Sequence, residues 1–147
     1  MGSLKLTIEL VPSSSWQNNL RSILKPKMWK ELRDKVCKTS NDRCSICKRG
    51  GVIHAHEVWE YEDANHIQKL KDIIPLCYLC HSVKHIGFAT LKGETSTNEK
   101  LIKHFMKVNN CDRIFFQKHL KNEFNKFEER SKYEWQLDLE KLKDFND

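Results

Sequence analysis

The sequence predicts an α+β fold. A strand, loop, strand and helix are pinned at both ends by paired cysteines, flanked by helices, and closed by a small antiparallel ribbon of the first and last strands. Three observations predict it. Cys44 and Cys47 (CSIC) and Cys77 and Cys80 (CYLC) form two C-x2-C pairs separated by 29 residues. Between them lie two runs of extended character, Val52 to Tyr61 and Ile73 to Leu76, and a helical stretch begins near Tyr78. At the chain's ends, Leu4, Leu6, Ile8 and Leu10 alternate with polar residues, as do Tyr133, Trp135, Leu137 and Leu139. That period of two marks a half-buried strand. These are the well-patterned strands outside the cysteine-bounded unit, so residues 4–10 are expected to pair with 133–139.

A C-x2-C pair brings two thiolates within reach of one ion, and four thiolates complete a tetrahedral zinc site. The competing reading is two disulfides or four core cysteines. Disulfides need an oxidising compartment, and the opening MGSLKLTIEL carries neither a long apolar run nor a cleavage site. The expectation is therefore a structural Zn2+ on Cys44, Cys47, Cys77 and Cys80, in a cytoplasmic protein whose Cys37 and Cys111 are free thiols.

The 147 residues suit a single domain, 1–147, with a zinc-finger core at 44–90. Residues 98–147 are expected to form a helical hairpin plus the closing strand. At 39% apolar residues the core is modest, and metal binding would add to its folding free energy. No stretch approaches the roughly 20 apolar residues of a membrane-spanning helix. The net charge of +6 suits a polyanionic partner.

In order along the chain, Ser13 to Ser15 are expected to cap a short helix with Trp16, Leu20, Ile23 and Leu24 on its apolar side. Pro26 opens a helix that turns Met28, Trp29, Leu32 and Val36 inward. Gly50 and Gly51 permit the turn after the first cysteine pair. On the following strand Val52, His54 and His56 share one face, opposite Ile53, Ala55, Glu57 and Trp59. The segment EDANHIQK reads as a polar linker, and residues 93–97 as a loop. Asn98 to Val108 reads as a helix with Leu101, Ile102, Phe105 and Met106 inward. Asp112 caps a second helix to Arg130, with Ile114, Phe115, Leu120, Phe124 and Phe127 inward. The pair reads as a plain helical hairpin, since its spacing carries no base-reading signature.

His81 and His85 are spaced i, i+4 and share one helix face. Four cysteines leave both imidazoles free to hold a second metal. The plainer alternative is a solvated or core-lining pair.

Taken together, CSIC at 44–47, AHE at 55–57, LCYLCH at 76–81 and His85 resemble the zinc-stapled HNH endonucleases, the ββα-metal or His-Me finger class. The resemblance covers about Cys44 to Gly87. It implies one divalent ion, such as Mg2+, Mn2+, Ni2+ or Zn2+, between strand and helix, acting on the scissile phosphate of DNA. It places His56 as general base, an imidazole titrating near neutrality, and His81 and His85 as ligands. The four-cysteine zinc would stay out of the chemistry, having no open position. Two positions depart from the family pattern: Ala55 stands where an Asp or His ligand is usual, and Asp72 where an asparagine falls. Two repairs stay open. Either His56 is the strand ligand and Glu57 the base, or His54 supplies the ligand. Arg43, Lys48, Arg49 and Lys84 are the candidate nucleic-acid contacts. The competing function is an HNH-like zinc module that no longer cuts and binds DNA, RNA or a protein partner.

Overall fold

The computed structural model describes residues 4–86 and 95–145, with side chains from residue 99 in the second part. It is α+β, with a three-stranded mixed sheet in the order β1-β2-β3. After a 3-10 turn at Ser13–Ser15, α1 (Leu20–Ile23) is capped by Asn19, whose Oδ1 accepts from Ser22 N at 3.0 Å. The expected serine cap gives way to this asparagine, and Trp16 and Ile23 are exposed. Helix α2 (Pro26–Thr39) has Pro26 in its first turn and buries Trp29, Leu32 and Val36. Met28 was expected inward but is 50% exposed. It sits one residue off the buried 29-32-36 stripe.

Strands β1 (Ile53–Glu62) and β2 (Ile67–Cys77) form an antiparallel hairpin. β2 begins earlier than the apolar run suggested. Ile67 to Asp72 are largely polar, yet the hairpin pairing from Glu62↔Ile67 onward includes them. Glu57 pairs with Ile73 and Val58 with Asp72, but Trp59 pairs with Leu70. The extra residue, Lys71, returns Leu70 to the face of Ile73. Helix α3 (Tyr78–Lys84) follows at once, its N-cap being Cys77, whose Sγ accepts from Cys80 N at 3.4 Å. Helices α4 (Thr95–Asn109) and α5 (Arg113–Arg130) make the expected hairpin, and Asp112 Oδ1 accepts from Phe115 N at 2.8 Å. Of the expected loop, residues 93 and 94 lie outside the described residues, and Thr95 is already helical. On α5 the buried residue is Phe116, while Ile114 is 62% exposed.

The antiparallel ribbon is not formed. β3 is only Gln136–Asp138, and it pairs in parallel with β2, from Ile67↔Gln136 to Lys69↔Asp138. Residues 4–10 form no strand and have no strand partner among the described residues. Their alternation is real, since Leu6 and Ile8 are 0% and 1% exposed. However, side chains and a helix end take up the backbone groups. Lys5 N and Leu6 N donate to Asn109 Oδ1, Asn109 Nδ2 donates to Leu6 O, Ile8 N donates to His119 Nε2, and Glu9 N donates to Lys84 O. Asn109 and His119 belong to the helical hairpin, so the N-terminal segment is held against α3, α4 and α5.

The β1–β2 hairpin separates two cores. On one side Leu6, Ile8, Leu76, Val83, Ile86, Leu101, Phe105 and Phe116 pack with the buried cysteines. On the other, Leu20, Trp29, Leu32, Val36, Leu70 and Ile73 form a second cluster, with Ala55 and Trp59 against it. Leu6→Ala should cost roughly 2–5 kcal/mol, the range for opening a cavity at a buried leucine, read as a lower urea midpoint. An unchanged midpoint would mean that the N-terminal segment is not part of the core. Among the described residues, no helix is long and apolar enough to cross a membrane.

Candidate metal centres

The two C-x2-C pairs meet. The Sγ atoms of Cys44, Cys47, Cys77 and Cys80 lie within 4.8 Å of one another, and those of Cys47 and Cys77 are 3.6 Å apart. Thiolates about 2.3 Å from one tetrahedral ion stand about 3.8 Å apart, so this group can hold a zinc ion. Each pair is a turn in which the second cysteine's N–H points at the first sulfur, Cys47 N to Cys44 Sγ at 3.5 Å and Cys80 N to Cys77 Sγ at 3.4 Å. The left-handed residue after the first pair is Lys48, at φ 68°. Gly51, at φ 109°, takes the left-handed turn before β1. Ser45 N donates to Pro75 O at 2.9 Å and ties the first turn to β2.

The electrostatics also fit a dication. Burial pushes the Cys80 thiol up, and the Cys44, Cys77 and Cys47 charges push it further. Burial pushes Cys44 the same way, but backbone N–H groups of Cys47, Cys77 and Ile46 overcome it and bring Cys44 down to about 7. A dication relieves the burial and mutual repulsion that hold the Cys80 and Cys47 thiols up. His104 of α4, which sequence reasoning passed over, places Nε2 3.2 Å from Cys80 Sγ. Its only signal was a polar residue beside Leu101 and Phe105 on the inward side of that helix. Cys37 and Cys111 carry no disulfide.

A second cluster lies beside the first. Alternation on β1 puts His54 and His56 on the α3 side of the hairpin, and the i, i+4 spacing turns His81 and His85 toward them. One nitrogen from each of His56, His81 and His85 falls within 4.8 Å of the others. Their ring centroids are 4.9–5.4 Å apart. His54 is exposed and stands next to His81 at 5.3 Å between centroids, at the rim of the group. The imidazoles border a cleft of about 710 Å³ between residues 7–11 and β1. Because β1 is the outer strand, the cleft wraps round its edge and also reaches Trp29, Glu57 and Trp59.

Two further side chains meet at this cluster, Glu9 from outside the motif and Lys84 from within it. Glu9 Oε1 lies 3.1 Å from His56 Nε2, and Glu9 Oε2 is in contact with Lys84 Nζ. Lys84 is buried, so it is not an exposed contact for nucleic acid as expected. Arg43, Lys48 and Arg49 are exposed, although Arg43 Nη1 and Lys48 Nζ donate to backbone carbonyls of the first cysteine turn.

The remaining candidates point elsewhere. Glu57 lies on the other face of β1 from His56, and its Oε1 accepts from Leu20 N at 2.6 Å, at the start of α1. Burial raises its carboxyl above the usual range, against the Leu20 N–H. Ala55 also faces that side and packs on the α2 cluster, so the position where the family pattern would put a ligand is turned away from the imidazoles. Asp72 Oδ1 accepts from Ile73 N at 2.8 Å and serves the register shift of the hairpin.

Burial holds His81 down to about 3, reinforced by the charges of His85, His56, His54 and Lys84. His85 is an exposed residue, yet desolvation of its ring, then the His56 and Lys84 charges, against Glu9, hold it at about 4. Both rings are therefore neutral near pH 7, the form that binds a metal. For Glu9, burial would raise the carboxyl, but His56 and Lys84 outweigh it and hold it at about 2. All three folded-state values lie below the unfolded ones, 6.5 for histidine and 4.5 for glutamate. The unfolded chain therefore binds more protons as pH drops. Stability present above pH 6.5 should fall as pH falls toward 4, and Glu9 should add to the loss between 4.5 and 2. In urea titrations the midpoint should drop from pH 7 to pH 5, and the drop should shrink in a His81→Gln, His85→Gln double variant. An equal drop in both proteins would contradict the assignment.

No protein family, curated protein or solved structure matches the chain.

Proposed function

We propose that the chain is a metal-dependent endonuclease of the HNH type that hydrolyses phosphodiester bonds in DNA. The observation that carries this reading is the meeting of His56, His81 and His85 at an open cleft, on donors separate from the four cysteines. The neutral imidazoles of His81 and His85 suit a divalent ion such as Ni2+ or Zn2+ better than Mg2+ or Mn2+, which favour oxygen donors. An ion held there supplies positive charge to the scissile phosphate and the leaving oxygen. His56 is assigned to take the proton of the attacking water, the role a neutral imidazole fills best near pH 7. Glu57 is a poorer base, since its carboxylate is engaged by Leu20 on the other face of the strand. Arg21, exposed at the cleft, and the exposed Arg43, Lys48 and Arg49 are suited to phosphates.

A second reading, a module that binds nucleic acid without cutting it, is favoured by Ala55, which offers no ligand. Supercoiled plasmid separates the two. Protein stripped of loosely bound metal should nick it once Mg2+, Mn2+ or Ni2+ is restored, and binding should weaken with added salt as counterion release requires. Binding without nicking under every metal would leave the second reading in place.

A further inference from the structure

The histidine cluster is reached by a carboxylate from the far N-terminal part of the chain. Both oxygens of Glu9 are occupied. Oε2 receives Lys84 Nζ and the Thr7 hydroxyl, the latter at 3.1 Å. Lys84 also donates to Thr7 O at 3.3 Å, and Glu9 N donates to Lys84 O at 3.0 Å. The loop of contacts closes on itself, with Lys84 only 3% exposed. Oε1 is left facing His56 Nε2 at 3.1 Å, and the His56 ring is 5% exposed. Lys84 is the last residue of α3, between His81 on the helix and His85 at its C-cap, so the element that presents two of the imidazoles also pins the carboxylate that meets the third.

We propose that Glu9, held by Lys84, is the positioning residue of His56, fixing its ring with the hydrogen on Nε2 and the lone pair on Nδ1. A carboxylate saturated by an ammonium and a hydroxyl has no hydrogen to give, so it only accepts. The imidazole must then donate from Nε2. Glu9 acts through His56, because the group of mutually close donors closes on the three imidazoles without it. A base needs this arrangement: one nitrogen is kept free for the proton, and a carboxylate behind the ring steadies the imidazolium that forms. The inference rests on the nuclease reading for its catalytic meaning, but the tautomer is measured without any reaction.

Long-range 1H–15N spectra of the full chain, with its zinc in place, read the tautomer directly. In the unsubstituted protein His56 Nε2 should be the protonated nitrogen and Nδ1 the bare one. Glu9→Ala should mix the two tautomers and slow nicking roughly ten- to a hundred-fold, the usual scale for losing a partner that orients a histidine. Ni2+ affinity should be unchanged. Glu9→Gln keeps the shape and guards against Glu9→Ala simply unfolding, but Lys84 and Thr7 claim its one carbonyl oxygen, so its NH2 faces His56 Nε2 and should turn the ring to the Nδ1-protonated tautomer and slow nicking. A bare Nε2 in the unsubstituted protein overturns the proposal, as does Glu9→Ala with an unchanged tautomer and rate. Lower Ni2+ affinity with an unchanged tautomer also overturns it, making Glu9 a ligand. If the tautomer behaves as expected and no metal supports cutting, Glu9 keeps its positioning role and the nuclease reading falls.

Discussion

Cys77→Ser should empty the cysteine site of zinc and unfold the chain around it. Cys77 is at once a sulfur of that site, the last residue of β2 and the N-cap of α3. Cys44, Cys77 and Cys80 also belong to the larger apolar cluster. Structural zinc in small fingers carries roughly 10 kcal/mol or more of apparent binding free energy. Whole domains are stable by only about 5–15 kcal/mol, so loss of the ion is expected to be decisive. Elemental analysis should find about one zinc per chain in the unsubstituted protein and none in the variant, with the cooperative melting transition gone. A strong chelator should reproduce the effect. A variant with full zinc and a normal melt would remove the four-cysteine assignment.

His56→Ala should abolish nicking while leaving the zinc and the fold in place. Its ring is buried at the cleft, yet its polar contact is to Glu9, which keeps Lys84 as a partner when the ring is removed. Loss of a general base lowers rates by about 10²–10⁴, enough to bring a plasmid assay to background. Glu57→Gln should cut nearly as fast as the unsubstituted protein, since a glutamine carbonyl can still accept from Leu20 N. Its cost should appear in stability instead, at about 1 kcal/mol, the scale of a helix cap. If Glu57→Gln were as inactive as His56→Ala, His56 would be a ligand and Glu57 the base.

Both side-chain clusters were legible because their signals are local. The spacing of each cysteine pair, the i, i+4 histidines and the alternation along β1 are set within a few residues, and each fixes a direction in space. Where partners are distant, the sequence is silent. Glu9 meets His56 and Lys84 across 47 and 75 residues, and nothing near Glu9 marks it as anything but the polar member of an alternating run. That run shows the same limit. Its period identified Leu6 and Ile8 as buried, but period alone does not say whether a strand or helix-borne side chains will accept the backbone. Asn109 and His119 do so here. β3 pairs with β2 through Gln136, Leu137 and Asp138, a contact that its matched alternation with residues 4–10 pointed away from. Lys84 looked like a surface cation beside a basic stretch, and burial against Glu9 and Thr7 overrode that reading.

The claim that these imidazoles form a working metal site is tested most directly by the metal dependence of cutting in His81→Ala. His81 belongs to the close imidazole group, and its side chain is not a donor of the cysteine site. Nicking should be measured across a series of Mn2+ or Ni2+ concentrations, with zinc content followed in the same samples. The variant should keep its zinc, cut little at limiting metal, and recover much of its rate in excess metal. A variant that follows the unsubstituted protein at every concentration would contradict the metal-site claim.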